Sequence, residues 1–172
     1  MNNNTFVHKY IKPLIHVDDI TVDMTVGNGN DTLLLSDLSR KVYGFDISSE
    51  AIERTKSKLT KDNVILIHDN HINVDKYIKE DIRLFIFNLG YLPHSSDNNH
   101  TKAEETLIAF KKAYELISDG YIIITFYIGH IGGKDEYYLL DKYIKQVNIK
   151  VIEKYKQDKI NSPITYIIKK SS

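Results

Sequence analysis

The chain has 172 residues, enough for one domain (1–172) with a single sizeable core, and its lack of cysteine excludes disulfides, thiolate metal sites and a cysteine nucleophile. Lys plus Arg balance Asp plus Glu at 23 each, which argues against a uniformly basic nucleic-acid coat. The start, Met-Asn-Asn-Asn-Thr, has no basic and apolar leader, and no apolar run approaches the ~20 residues of a membrane span, so a cytoplasmic protein without membrane contact is expected.

Phe6, Val7, Tyr10, Ile11, Leu14 and Ile15 keep close to the i, i+3, i+4 rhythm of a helix packed on a sheet, which Pro13 breaks or restarts. Thr21–Val26 is predicted as a first strand running into the turn Gly27-Asn28-Gly29. Two glycines spaced by one residue let the backbone bend sharply and bring its N–H groups near a ligand. Asp31 and Thr32 then open a helix to Leu38.

Lys41–Asp46 is a second apolar strand ending in an acid, and a helix from about Glu50 to Leu59 follows it, capped by Ser48 or Ser49. Val64–Ile67 is a third strand, ending in His68-Asp69-Asn70-His71. A polar helical segment, Val74 to Lys79, leads to a fourth strand, Leu84–Asn88. After the irregular stretch from Leu89 to His100, a strong helix begins at Thr101 and closes at Asp119-Gly120. Tyr121–Tyr127 reads as a strand buried on both faces. Gly129-His130-Ile131-Gly132-Gly133 is a turn before a helix from about Lys134 to Gln146. Val147–Tyr155 and Ile164–Ile168 form a closing antiparallel hairpin.

Five strands alternating with helices predict an α/β fold, a mostly parallel, doubly wound sheet with helices on both faces, and the hairpin raises the count to seven strands. Ligands of such sheets bind outside the carboxyl ends of the strands, where the strand order switches. The polar clusters after the first five strands all fall on that edge.

The glycine turn lacks the third glycine of the dinucleotide fingerprint, since position 32 is Thr, and it lacks the Gly-Lys-Ser/Thr of a P-loop. Asp46, at the end of the second strand, can accept hydrogen bonds from both ribose hydroxyls of an adenosine ligand, or can cap the helix after it. Asp69 and Asn70 can read an adenine edge or form a turn. Asn88 can hold an amine with its side-chain oxygen, and Tyr91 behind it can stack on a base or pack in the core. His130 sits on the ligand edge as a functional or merely exposed histidine. His68 and His71 lack a well-spaced third ligand, so no metal is expected.

Four blocks then stand together: Asp23-x-Thr25-x-Gly27-Asn28-Gly29-x-Asp31-Thr32, Val42-Tyr43-Gly44-Phe45-Asp46, Phe87-Asn88-Leu89-Gly90-Tyr91-Leu92-Pro93, and Tyr127-x-Gly129-His130-x-Gly132-Gly133. Over nearly the whole chain, Phe6 to Lys170, this pattern resembles the YtqB/MnmM-type class I methyltransferases, formerly labelled rRNA methylases. The resemblance implies a Rossmann-like methyltransferase fold that uses S-adenosyl-L-methionine. It also implies methylation of the amine of 5-aminomethyl-2-thiouridine at the tRNA wobble position, giving 5-methylaminomethyl-2-thiouridine.

By the same resemblance Thr25, Gly27, Asn28, Gly29, Asn30, Asp31, Thr32, Asp46, Ile47, Asp69, Asn70, His71, Asn88 and Leu89 are expected at the cofactor. Asn88, Tyr91 and His130 are the candidate catalytic residues. Tyr91, Pro93, His94, His130, Lys134 and Asn161 are expected at the substrate. The chain departs from the family at His94-Ser95, where glycines are usual, and at Asn161-Ser162-Pro163-Ile164, where Asn-x-Pro-Pro is common.

Residues 134–172 hold nine basic and five acidic residues. Lys134, Lys154, Lys156 and Lys159 could therefore touch the phosphates of a tRNA anticodon stem-loop, although a solvated lysine face has the same composition. Methylation of an amine in rRNA or in a small molecule, and a non-catalytic binding module, are the competing readings. The oligomeric state is open, a homodimer included.

Overall fold

Apolar strand residues alternate between two faces here, and that period decides the layers. The computed structural model describes residues 1–89 and 99–172. In chain order they form α1 (Asn3–Ile11), β1 (Ile20–Asp23), α2 (Asn30–Leu38), β2 (Lys41–Asp46), α3 (Ser49–Lys58), β3 (Val64–His68), α4 (Val74–Tyr77), β4 (Leu84–Leu89), α5 (Asn99–Glu115), β5 (Gly120–Phe126), α6 (Gly133–Gln146), β6 (Val151–Lys156) and β7 (Ile164–Lys170). One sheet holds seven strands in the order β3-β2-β1-β4-β5-β7-β6, with β1 to β5 parallel and β7 antiparallel to both of its neighbours.

Val22, Phe85, Phe87, Ile122 and Ile124 point to one face, where Phe110, Ala113, Leu140 and Ile144 of α5 and α6 cover them. Leu84, Ile86, Ile123 and Ile167 point to the other face, against Val7 and Ile11 of α1 and Leu35 of α2. The first helix ends at Ile11, and Pro13, where a break or restart was expected, lies in a 3-10 turn, Lys12–Leu14. Helix α4 ends at Tyr77, two residues short of Lys79, after its own 3-10 turn at His71–Asn73.

At the last hairpin the strand expected from Val147 starts only at Val151. Asn148 takes a left-handed φ of 56°, and Ile149 N–H donates to the Ile144 carbonyl at 3.0 Å. That bond closes the end of α6 with a left-handed residue and a six-to-one pair, so Val147 and Ile149 finish a helix although their side chains read as strand.

Chain progress outward from β1 to β3 and back to β4 makes the β1/β4 boundary the point where strand order reverses. The carboxyl ends of those two strands frame the site.

Candidate functional site

At the end of β1 the chain turns away, and its polar side chains close on one another. Asp23 is wholly buried and accepts from Thr25 N–H (3.1 Å) and Thr32 Oγ1 (2.7 Å). Burial first, and then the nearby Asp31 carboxylate, push its carboxyl up to about 7. Thr25 Oγ1 accepts from Asn88 N–H at 2.7 Å, which ties β1 to β4 across the switch point.

Asp31, in the first turn of α2, is a bridge. One oxygen lies 2.6 Å from His8 Nε2 of α1, and the other accepts from Asn88 Nδ2 at 2.7 Å. Hydrogen bonding to Asp31 raises the pKa of His8. Because a carboxylate only accepts, it fixes the Asn88 amide with nitrogen toward α2 and oxygen outward. The Asn88 oxygen faces the Tyr127 hydroxyl across a long 3.5 Å contact.

The glycine turn requires both glycines, with φ of +54° at Gly27 and +83° at Gly29. A Cβ on Gly29 would stand 2.6 Å from Thr55 Oγ1, so the turn rests directly on α3. Gly27 N–H donates to Asp46 Oδ2 at 2.8 Å, and Ser48 N–H donates to Asp46 Oδ1 at 2.9 Å. Asp46 thus clasps the turn and caps the approach to α3, and its carboxylate still borders the cleft.

The side chain of Asn28 turns outward, its Oδ1 accepting from Arg54 Nη1 at 2.8 Å, while the Asn28 main-chain carbonyl accepts from Lys58 Nζ at 2.8 Å. Asn30 is exposed at the first position of α2. Asp46, Ile47, Asp69, Asn70 and His71 line the near wall of one cleft, and Thr25, Asn88 and Leu89 line its floor. Asp69 accepts from Asn70 N–H, Asn73 Nδ2 and the Tyr77 hydroxyl, and the Tyr77 bond leads in holding its carboxyl below the usual range. Asn70 caps the turn after β3 and donates to Glu105 Oε2 at 3.1 Å. Burial lowers the pKa of His71, whose Nδ1 lies 2.9 Å from the Met24 carbonyl and donates to it as a neutral ring.

The far wall was not expected from the sequence. Lys102, Glu105 and Thr106 of α5 and Glu136 of α6 close the cleft, which encloses about 740 Å³ of space open to solvent.

His130, Lys134 and Asn161 do not line this cleft. They meet in a second concavity with Ile128, Gly129 and Ile131 on the turn after β5. The two hollows approach through Tyr127, whose ring centroid is 5.6 Å from that of His130 and whose hydroxyl faces Asn88. Asn161 holds a left-handed φ of 59°. Tyr91, Pro93 and His94 lie outside the described residues.

A Cβ on Gly133 would fall 2.1 Å from the Tyr127 carbonyl oxygen, so the turn carrying His130 closes only on glycine. Gly133→Ala is expected to lower stability by about 1–3 kcal/mol or more, read as a fall in the thermal midpoint. An unchanged midpoint would mean that the turn relaxes freely.

Among the described residues no group of three or more His, Asp or Glu side chains converges as a metal site would, and no helix is long and apolar enough to cross a membrane.

Sheet order, reversed final strand and the polar edge at the β1/β4 switch define a Rossmann-like class I methyltransferase fold. The chain belongs to the family described as "Putative rRNA methylase", whose model matches residues 42–169. It is 34% identical, with a TM-score of 0.86 and 98% of each chain covered, to SMU.1697c of Streptococcus mutans, a putative methyltransferase solved in complex with SAH. A putative rRNA-methylase of Clostridium thermocellum is 36% identical with a TM-score of 0.83, covering 99% of this chain and 98% of that one. A curated relative from Arabidopsis thaliana, the chloroplastic tRNA (mnm(5)s(2)U34)-methyltransferase, is 32% identical over 154 residues. The alignment covers 79% of this chain and 56% of that protein, so the chain spans about half of the relative's length.

Proposed function

We propose that the chain transfers a methyl group from S-adenosylmethionine to the amine of 5-aminomethyl-2-thiouridine at the wobble position of tRNA. The observation that carries this reading is the cleft at the β1/β4 switch, where Asp46 faces a ligand from β2 and Asn88 from β4. The Arabidopsis relative's name supplies the nucleoside.

The residues present fit the cofactor. Backbone at Gly27 and Gly29 can approach it without a Cβ between them. The Asp46 carboxylate has accepting capacity beyond its two backbone donors for ribose hydroxyls, and Ile47, Leu89 and Met24 offer apolar surface to a base. Bound there, S-adenosylmethionine supplies an electrophilic sulfonium methyl.

The chain's own contribution is orientation. Asn88, locked by Asp31 and Thr25, presents its carbonyl oxygen to an N–H of the incoming amine, and that holds the nitrogen lone pair on one line of approach. The second hollow, with His130, Lys134 and Asn161, is in place to take the nucleotide or its neighbours. Exposed Lys134, Lys156 and Lys159 are available to phosphates, whereas Lys154 is held over the Tyr137 and Tyr166 rings at 5.8 and 5.2 Å.

The test is incubation with labelled S-adenosylmethionine and tRNA carrying unmethylated 5-aminomethyl-2-thiouridine. Label should appear in the methylaminomethyl nucleoside on mass spectrometry. Label in rRNA and none in that nucleoside would instead favour the rRNA reading. Cofactor binding with no transfer to any RNA would leave a binding module.

A further inference from the structure

One carboxylate oxygen in the cleft has no hydrogen-bond partner among the described residues. In α6 the buried positions run Gly133, Glu136, Leu140, Ile144, a core stripe with an acid on it. Glu136 is 1% exposed. Its Oε1 accepts from Thr106 Oγ1 at 2.9 Å, but Oε2 has no hydrogen-bond partner among the described residues and only a long ion pair, to Lys102 Nζ at 3.9 Å. The same side chain lines the cleft shared by Asn88 and Asp46. A buried carboxylate oxygen left unpaired is costly, so its persistence at a ligand cleft points to a donor that the ligand brings.

We propose that Glu136 receives the methyl-accepting group as an alkylammonium ion and takes its proton, an assignment that rests on the reading of the chain as an amine methyltransferase. A neutral donor such as an adenine amino group would satisfy the hydrogen bond but add nothing to the long Lys102 pair in compensating the buried charge. A primary ammonium does both.

The step balances as R–NH₃⁺ plus carboxylate giving R–NH₂ plus carboxylic acid: one N–H bond breaks, one O–H bond forms, and the electron pair stays on nitrogen. That freed pair is what methyl transfer needs. The methylated product is again a cationic ammonium, and the proton on Glu136 returns to solvent.

Burial pushes the Glu136 carboxyl up, with Lys102 and Thr106 opposing, which makes its carboxylate a stronger proton acceptor. The other charged and titratable groups bordering the cleft are Glu105 from α5, Asp69 and His71 after β3, and Asp46 from β2. None of them is an unpartnered buried oxygen among the described residues.

The variant is Glu136→Gln, which keeps the acceptor for Thr106 and nearly the same volume. Three readouts are compared with wild type: S-adenosylmethionine affinity by calorimetry, methyl transfer to aminomethyl-tRNA across pH 6 to 10, and binding of the free 5-aminomethyl-2-thiouridine nucleoside to protein saturated with S-adenosylhomocysteine. Expected are cofactor affinity within about twofold, transfer about 10²–10⁴-fold slower near pH 7 with the deficit shrinking as alkali frees the amine, and nucleoside binding at least tenfold weaker.

A wild-type rate and pH profile in the variant would overturn the assignment. So would a matching loss of cofactor affinity, which would place Glu136 at the cofactor. Wild-type protein that binds the nucleoside through Glu136 but methylates no tRNA would sink the tRNA reading and leave the ammonium site standing. Nucleoside binding that is equal in both proteins, or absent in both, overturns the site.

Discussion

Asn88→Ala is expected to slow methyl transfer about 10²–10³-fold while leaving S-adenosylmethionine affinity within a few-fold of wild type. The backbone N–H of residue 88 bonds to Thr25 Oγ1 whatever its side chain, so the β1/β4 seam and the cofactor wall survive the change. What is lost is one fixed carbonyl dipole at the switch point, and a single preorganised polar group at a reacting centre is worth about that factor. Asn88→Asp sharpens the test. Its new carboxylate would face Asp31 where the amide nitrogen now donates at 2.7 Å, so it is nearly isosteric but repels its anchor. The aspartate variant should be at least as slow as the alanine one near neutral pH. Single-turnover rates beside calorimetric cofactor affinities decide the matter, and an alanine variant with an unimpaired rate would remove Asn88 from the reaction.

How far the sequence already carried these features depends on where each residue sits. Residues at the carboxyl ends of parallel strands, such as Thr25, Asp46, Asn70 and Asn88, were legible because the fold class alone sends those ends to one edge. Their convergence on one cleft needs only the strand order. Asn28 was not legible. Its placement depends on positive φ at the glycines on both sides, which swing its side chain toward Arg54 and its main-chain carbonyl toward Lys58. The far wall of the cleft was hidden for a different reason. Lys102, Thr106 and Glu136 come from two helices, and only the packing of α5 on α6 brings them together. A signal existed even so, since Glu136 falls on the spacing of Leu140 and Ile144, and an acid on an apolar stripe is a conflict between pattern and burial that functional sites produce.

The basic C-terminal quarter was legible as composition but not as surface. Lys169 bonds to Asp119 and lies 4.5 Å from the centre of the Tyr121 ring, and Lys170 lies 4.7 Å from that of Tyr114. Those charges serve the sheet edge. The hairpin boundary failed because Val147 and Ile149 carry strand-like side chains, whereas the left-handed Asn148 and the bond from Ile149 N–H to Ile144 decide the backbone.

Asp23→Asn should make the protein gain stability relative to wild type as pH rises from about 4 to about 7. The folded carboxyl, raised from 3.8 to about 7 by burial and by Asp31, holds its proton in a range where the unfolded chain has released it. The native state therefore binds more protons than the unfolded state across that window, and wild-type stability falls with rising pH. The contribution is fully present below about pH 4 and lost above about pH 7. Each unit inside the window carries about 1.4 kcal/mol, so the summed effect amounts to several kcal/mol. An asparagine cannot titrate, and its oxygen can still accept from Thr25 N–H or the Thr32 hydroxyl. Any loss from the imperfect second bond is a constant offset, whereas the titration has a slope. Hydrogen bonding to Asp31 favours the proton on His8 in both proteins, so the difference between the two largely cancels its titration. Urea unfolding of both proteins at pH 5, 6, 7 and 8 reads the slope directly. A stability difference that stays constant over that range would mean that Asp23 is already ionised at pH 5 in the folded chain. A difference that moves steadily in the variant's favour up to about pH 7 would instead show that the turn before α2 keeps a buried carboxyl at a cost to stability near neutral pH. That cost is what a site tolerates when one acceptor must fix both the strand end and the first turn of the helix beside it.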